Sequence, residues 1–245
     1  MYSQNANTGY KRLTRTIDLG GASSGELSFW TSFNTENGWD FVFVEAHTVG
    51  QDNWTTLPDA NGHTTQDVGS SCPSGWIEQL HNHLGHYQTF VPNGPGDADD
   101  DCTPQGTTGA WHAATGNSGG WQHWQVNLDQ FAGQQVEVSI VFATDWGTLA
   151  VPGALVDDTT VTVGGSTLAE TSFETDLGGW TVPGAHPEGP STNLNDWIQS
   201  ERIPFEDASI TQTDDTLYFG FGFEGLNGQA NRNEVMRRAV GYLLR

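Results

Sequence analysis

Eight histidines and thirty carboxylates are the groups in this 245-residue chain that could hold a metal or move a proton. Among the histidines only His81, His83 and His86 cluster. On a short helix His83 and His86 stand at i and i+3, a spacing at which two imidazoles can share a metal. The alternative is plain hydrogen-bonding imidazoles in a polar loop. A zinc peptidase wants His-Glu-x-x-His on a helix, or His-x-x-Glu with a distant His, because its ion takes three protein ligands and keeps one position open. Neither pattern occurs, since no His is followed three residues on by Glu. No zinc is expected in this chain, and no catalytic residue is assigned.

The carboxylates gather in three places. Glu36 and Asp40 flank an Asn37-Gly38 turn, with Glu45 on the next strand. Asp157 and Asp158 head a late strand. Asp97, Asp99, Asp100 and Asp101 share a long loop. Close carboxylates repel unless a cation or a proton separates them. Ca²⁺ accepts six to eight oxygens, some of them turn carbonyls. The expectation is a structural Ca²⁺ site drawn from Glu36, Asp40, Asp157 and Asp158, whose strands could meet at one edge. The alternative is a surface of solvated carboxylates. That is the better reading for Asp97–Asp101, which lacks the glycine and distal Glu of an EF-hand loop. A glycosidase carboxylate pair stays open in principle, but thirty acids are too many to choose from.

The ten tryptophans offer a different chemistry. Trp111, Trp121, Trp124 and Trp146 fall in loops or at strand ends, where binding sites sit and a flat ring could stack on a sugar. Packing is the competing use. The two cysteines, Cys72 and Cys102, lie in a long polar segment. A disulfide between them closes a loop of about 30 residues and contributes roughly 3–4 kcal/mol in the chain-entropy model. Two unrelated thiols are the other possibility. A staple there implies an oxidising, extracellular setting.

These groups need a scaffold, and composition limits which. The formal net charge is −22 and the pI near 4.3. A basic track for nucleic acid is excluded on this count, and an anionic membrane surface is disfavoured. No apolar run approaches the roughly 18 residues of a membrane span. Aromatic residues make up 11% of the chain, too many for a disordered acidic tail. With 31 Gly and 10 Pro, the chain suits many turns rather than long helices. The lone lysine, Lys11, and the Asp-heavy surface fit a salt-tolerant exoprotein. Met1 leads into Tyr2-Ser3-Gln4-Asn5 with no basic or apolar leader, so the reading is a mature fragment or the end of a longer chain.

Period-two alternation marks strands at Tyr10–Leu19, Leu27–Phe33 and Val136–Phe142, with further candidates at Trp121–Leu128 and Ala154–Val163. Asp40–Thr48 opens with Phe41, Val42, Phe43 and Val44, the run of a strand buried on both faces. Short strands with Gly turns predict an antiparallel, jelly-roll-like β-sandwich over residues 1–165. Residues 58–120 read as an insertion pinned by the disulfide, with a short helix around Gly75–Leu84. A second β subdomain is expected over 166–245, with a strand at Thr216–Phe223 and a terminal helix at 232–244. In that helix Val235, Met236, Ala239, Val240, Leu243 and Leu244 form one apolar stripe, and Asn231 with Glu234 makes a capping box.

Several strings, taken in order, resemble a known family. Tyr10–Leu19 with Gly25-Glu26-Leu27-Ser28-Phe29-Trp30 comes first, then Asn34–Glu45 and Asp52–Leu57. Ser118–Trp121, Asn127-Leu128 and Phe131-Ala132-Gly133 follow. Thr144-Asp145-Trp146-Gly147, Val156–Thr159 and Phe219–Gly225 complete the set. Together they resemble the C-terminal β domain of secreted bacterial zinc carboxypeptidases, related to that of immune-inhibitor-A-type metallopeptidases. The resemblance implies a jelly-roll accessory domain downstream of a zinc peptidase domain, which would be its partner in cis. Acidic turns such as Glu36/Asp40 and Asp157/Asp158 would be Ca²⁺ positions, and the catalytic His-x-x-Glu would lie upstream. The expectation is therefore a secreted, non-catalytic, Ca²⁺-stabilised and monomeric module serving stability or attachment to substrate or surface. A jelly-roll carbohydrate-binding module, with a polysaccharide or peptide ligand, is the alternative.

Overall fold

A computed structural model of the chain describes residues 1–92, 101–147, 152–200, 210–213, 216–219, 233 and 235–240. Its strands are β1 (Tyr10–Asp18), β2 (Gly25–Asn34), β3 (Phe41–Thr48), β4 (Thr55–Leu57), β5 (Thr89–Val91), β6 (Asp101–Thr103), β7 (Gln122–Asn127), β8 (Gln135–Ala143), β9 (Gly153–Val163), β10 (Ser166–Thr171), β11 (Ile210–Thr213) and β12 (Thr216–Phe219). All strand pairs are antiparallel. One four-stranded sheet runs β1-β8-β3-β4 and the other β10-β9-β2-β7, which makes a β-sandwich.

The core follows from the alternation. Leu27, Phe29 and Phe33 of β2 meet Val42, Val44 and Ala46 of β3 and Val136, Val138 and Ile140 of β8 between the sheets. Because side chains alternate along a strand, Phe41, Phe43 and Glu45 of β3 point the other way. That outer face is also covered: residues 58–120 lay Trp76, Ile77, Leu80, Leu84, Tyr87 and Trp111 over Phe41, Phe43 and Val141. β3 is thus buried on both sides, as its apolar run predicts. The Cys72–Cys102 disulfide ties the segment together. The helix expected near Gly75–Leu84 is a chain of short turns, 3₁₀ at Cys72–Ser74, π at Trp76–Leu80 and 3₁₀ at Asn82–His86. Gly75, at φ +103°, breaks it at the start.

The chain forms two compact units, Met1–Ser200 and Glu201–Arg245. The division expected after residue 165 falls between β9 and β10, which are hydrogen-bonded neighbours in one sheet. Residues 172–200 remain part of the first unit: Thr181 bridges to Thr14, Ile198 bridges to Tyr2, and Trp180 and Trp197 are buried. In the second unit β11 and β12 form a hairpin, and residues 235–240 are helical. The expected capping pair Asn231/Glu234, the helix ends and residues 220–223 of the expected strand lie outside the described residues, as do 97–100 of the Asp run. Among the described residues no helix is long and apolar enough to cross a membrane.

Candidate functional site

The turn between β2 and β3 is tight because the Glu36 carbonyl accepts both Trp39 N–H and Asp40 N–H, at 3.0 and 2.9 Å. Gly38 supplies a positive φ of 79° at its apex. Asp40 is left 5% exposed, its Oδ1 accepting the Asp145 N–H at 3.0 Å. Asp145 arrives from just past β8, because the β3–β8 register sets Phe41 opposite Ala143. Asp145 Oδ1 in turn accepts the Gly147 N–H at 2.6 Å. A Cβ added at Gly147 would stand 3.0 Å from Asp145 Oδ1 and 3.1 Å from Glu36 Oε2, so this residue sits between the two carboxylates. Burial, and next the Asp145 and Glu36 charges against two backbone N–H contacts, push the Asp40 carboxyl up to about 7. Burial also raises Glu36 and Asp145. The corner therefore brings Glu36 and Asp145 near the buried Asp40, each carboxylate raised by burial.

Asp157 and Asp158 are placed elsewhere. Asp157 sits opposite Trp30, four register steps from the pair Asn34–Gly153 at the end of β2. Burial raises its carboxyl, and the chain's own N-terminal amine pulls the other way. Asp158 occupies the adjoining β-bulge at φ +46° and lines a shallow groove with Glu170 and Asp176. The edge expected to join these residues to Asp40 does not form, because the register places them in mid-strand.

The tryptophans divide in two. Trp111 and Trp124 are fully buried and present no face to a ligand. The first packs on Phe41 and Phe43, the second on Phe29 and Phe33. Trp121 and Trp146 are about two-fifths exposed, and so is Trp30, which the sequence reading did not single out. Trp30 lies over His123 across the β2–β7 pair, ring centroids 5.1 Å apart. Two Gly-x-Ser-x-Gly strings, Gly21–Gly25 and Gly116–Gly120, also occur. Neither leads from a strand into a helix as a nucleophile elbow must. The Ser118 hydroxyl is engaged with Phe33 N–H and the Gly120 carbonyl.

A third cluster lies beneath the insertion. Glu45, on the outer face of β3, is completely buried. Its Oε1 is 2.9 Å from His186 Nε2. Its Oε2 accepts from the Tyr10 hydroxyl at 2.6 Å and the Tyr87 hydroxyl at 3.0 Å. His83 Nε2 stands 3.1 Å from the Tyr87 hydroxyl and 4.0 Å from Glu45 Oε2. The His83 and His186 rings stack at 3.4 Å, with Trp54 edge-on to both. Glu45, His83 and His186 each offer one donor atom within 4.8 Å of the others. Burial alone would raise the Glu45 carboxyl, but the His186 charge and hydrogen bond, His83 and the Tyr10 hydroxyl outweigh it and hold the carboxyl low. Burial pushes His83 far below the ordinary imidazole value. His86 and His81 make the plain hydrogen bonds that were the alternative to a shared metal: His86 bonds to Thr108 Oγ1 at 2.9 Å, and His81 to Ser191 and the Thr144 carbonyl. The readable signal was Glu45 itself: a carboxylate on a strand buried on both faces must have partners. No protein-family model matches this chain, and no curated protein matches it.

Proposed function

We propose that this chain is a non-catalytic accessory β-sandwich module of a secreted zinc-carboxypeptidase-type metallopeptidase, clamped by Ca²⁺ at the Glu36–Asp40–Asp145 corner. Its role is to stabilise the parent enzyme or to hold it near a substrate or surface. The observation that carries this reading is the corner itself. The acidic turn of Asn34–Glu45 and the Thr144-Asp145-Trp146-Gly147 string both belong to the family resemblance. Residues 105 positions apart in these strings converge so that Asp40 receives the Asp145 N–H. The charges of Glu36 and Asp145 act against an ionised Asp40, and a hard divalent cation with oxygen ligands would relieve that repulsion.

The test is the melting temperature in EDTA and again in millimolar Ca²⁺. A ligand bound only by the folded state at a hundredfold excess over Kd stabilises by about 2.7 kcal/mol, a shift of several degrees. The rise should vanish in Asp40→Asn and Asp145→Asn, and an unchanged melting point in Ca²⁺ removes the clamp. Chelator-sensitive peptide hydrolysis by this chain alone would remove the non-catalytic reading.

A second reading, a carbohydrate-binding module, is favoured by the exposed Trp30 and Trp121. Trp30 lies on the outer face of its sheet, in register with His123 and flanked along β2 by the half-exposed Ser28. Such a face offers ring stacking beside hydrogen-bonding groups. Retention on insoluble polysaccharide that is lost in Trp30→Ala supports it, and no retention on a broad panel sinks it.

A further inference from the structure

We propose that Glu45, His83 and His186 form a Zn²⁺ site that ties together three remote segments of the first unit: β3, the 58–120 insertion and the stretch after β10. The donor set is two imidazole nitrogens and one carboxylate oxygen, a set Zn²⁺ accepts. The three donor atoms already lie within 4.8 Å of one another. Tetrahedral Zn²⁺ with bonds of about 2.0–2.2 Å needs donors about 3.4 Å apart, so the two stacked rings, now 14° from parallel, must open out of the stack for their Nε2 lone pairs to converge on one ion. The Tyr87 hydroxyl lies beside the set, 3.1 Å from His83 Nε2 and 3.0 Å from Glu45 Oε2.

Two further observations point to a cation. The first is the second shell. A metal-bound imidazole donates its other N–H to a carboxylate or carbonyl, which fixes its tautomer and orientation. Glu188 Oε2 lies 3.7 Å from His83 Nδ1 and 3.9 Å from His186 Nδ1, one carboxylate facing the far edge of both rings. His83 Nδ1 is buried and has no hydrogen-bond partner. Zn²⁺ on the Nε2 edges would hold the protons on both Nδ1 atoms and aim them at Glu188. The second is charge. Glu45 is 0% exposed, and an ionised carboxylate there requires compensation. Two stacked imidazoliums would repel, whereas one dication between the Nε2 atoms and the carboxylate satisfies all three groups. The Tyr10 and Tyr87 hydroxyls then donate to Glu45 and orient it. The enclosing Trp54, Tyr10 and Tyr87 rings make this a closed, structural site rather than a catalytic one.

The experiment strips the full chain with a chelator and titrates it with Co²⁺ and then Zn²⁺. The expected result is one Co²⁺ per chain with the visible absorption of a tetrahedral ion, displaced by one equivalent of Zn²⁺. His83→Gln and His186→Gln should abolish the absorption. Should either fail to fold, Glu188→Gln keeps the test decisive, because that side chain is 57% exposed and its replacement leaves the core intact. It should weaken Zn²⁺ binding about 10–100-fold with circular dichroism unchanged. A folded wild-type chain that takes up neither ion overturns the site and leaves a buried Glu45–His186 hydrogen bond. Co²⁺ binding undiminished in both His83→Gln and Glu188→Gln overturns it equally. The site stands apart from the Ca²⁺ corner: Asp40→Asn should leave the Co²⁺ spectrum unchanged, and Glu188→Gln should leave the Ca²⁺-dependent melting shift unchanged.

Discussion

Asp40 is held protonated by its surroundings over part of the neutral range. Its carboxyl is raised to about 7 by burial and, after that, by the neighbouring Asp145 and Glu36 charges, against an ordinary value near 3.8. Between those values the folded chain keeps a proton that the unfolded chain has lost, so this residue's contribution to stability falls as pH rises through the window. His81 acts with the opposite sign. Burial lowers it to about 4, so between about 4 and 6.5 the unfolded chain binds more protons and stability rises with pH. The informative quantity is therefore the difference between wild type and Asp40→Asn. In EDTA the variant should gain stability relative to wild type from about pH 4 to about pH 7, measured as urea midpoints, and Ca²⁺ should erase that gain. A difference independent of pH in EDTA would mean that Asp40 is ionised in the folded state. Lys11 is a second residue-scale case. The only lysine of the chain is 0% exposed, with Nζ bonded to the Ser3 and Gln4 carbonyls at 2.9 Å each and to Asn195 Oδ1 at 2.6 Å. Lys11→Met leaves the Ser3 carbonyl and Asn195 Oδ1 without this donor, while the Gln4 carbonyl keeps the Ser3 hydroxyl, and should destabilise by about 3 kcal/mol in urea titration. A loss under about 0.5 kcal/mol would place Lys11 among ordinary surface residues.

At the scale of elements, β3 shows why part of the architecture was legible and part was not. Strand periodicity is local, so Leu27, Phe29 and Phe33 announce an inner face, and Phe41–Val44 announces two covered faces. Residues 58–120 read as an insertion stapled by Cys72 and Cys102, but that this insertion is what covers β3 is seen only in the fold. Phe43→Ala should therefore cost about 3–5 kcal/mol, as much as a substitution between the sheets, although Phe43 faces away from the sandwich interior. A loss near zero would mean that the insertion covers β3 without packing on it. The sites were legible only where they are local. Glu36 and Asp40 flank one turn and can be read as a pair. Asp145 joins them only through the β3–β8 register, and Asp157 is kept away from them by the β2–β9 register. No spacing along the chain encodes either fact. The same holds for Glu45, His83 and His186. For Trp111 and Trp124 the packing use is the one realised, and for a related reason it could not be assigned residue by residue: a tryptophan at a strand end or in a loop faces solvent only if no other segment folds over it.

At the scale of the whole molecule the dominant quantity is charge. Thirty carboxylates oppose eight Lys and Arg, a net of −22, and two of those cations, Lys11 and Arg12, are enclosed by the fold. A surface so one-sided repels itself, and the compact state suffers more than the expanded chain. Salt screens the repulsion, the Debye length falling from about 30 Å at 0.01 M to about 3 Å at 1 M. With Ca²⁺ saturating and pH fixed, the melting temperature should rise with NaCl over that range, the reverse of a protein held by surface ion pairs. The comparison also separates general screening from a specific clamp. At matched ionic strength, millimolar CaCl₂ should raise the melting temperature of the Ca²⁺-free chain well above NaCl, because a site binds by coordination while screening depends on ionic strength alone. Asp40→Asn should lose the excess produced by Ca²⁺ and keep the rise produced by NaCl. A melting temperature flat in NaCl would show that the acidic surface is dispersed widely enough not to strain the fold. Equal effects of the two salts would return Glu36, Asp40 and Asp145 to that surface.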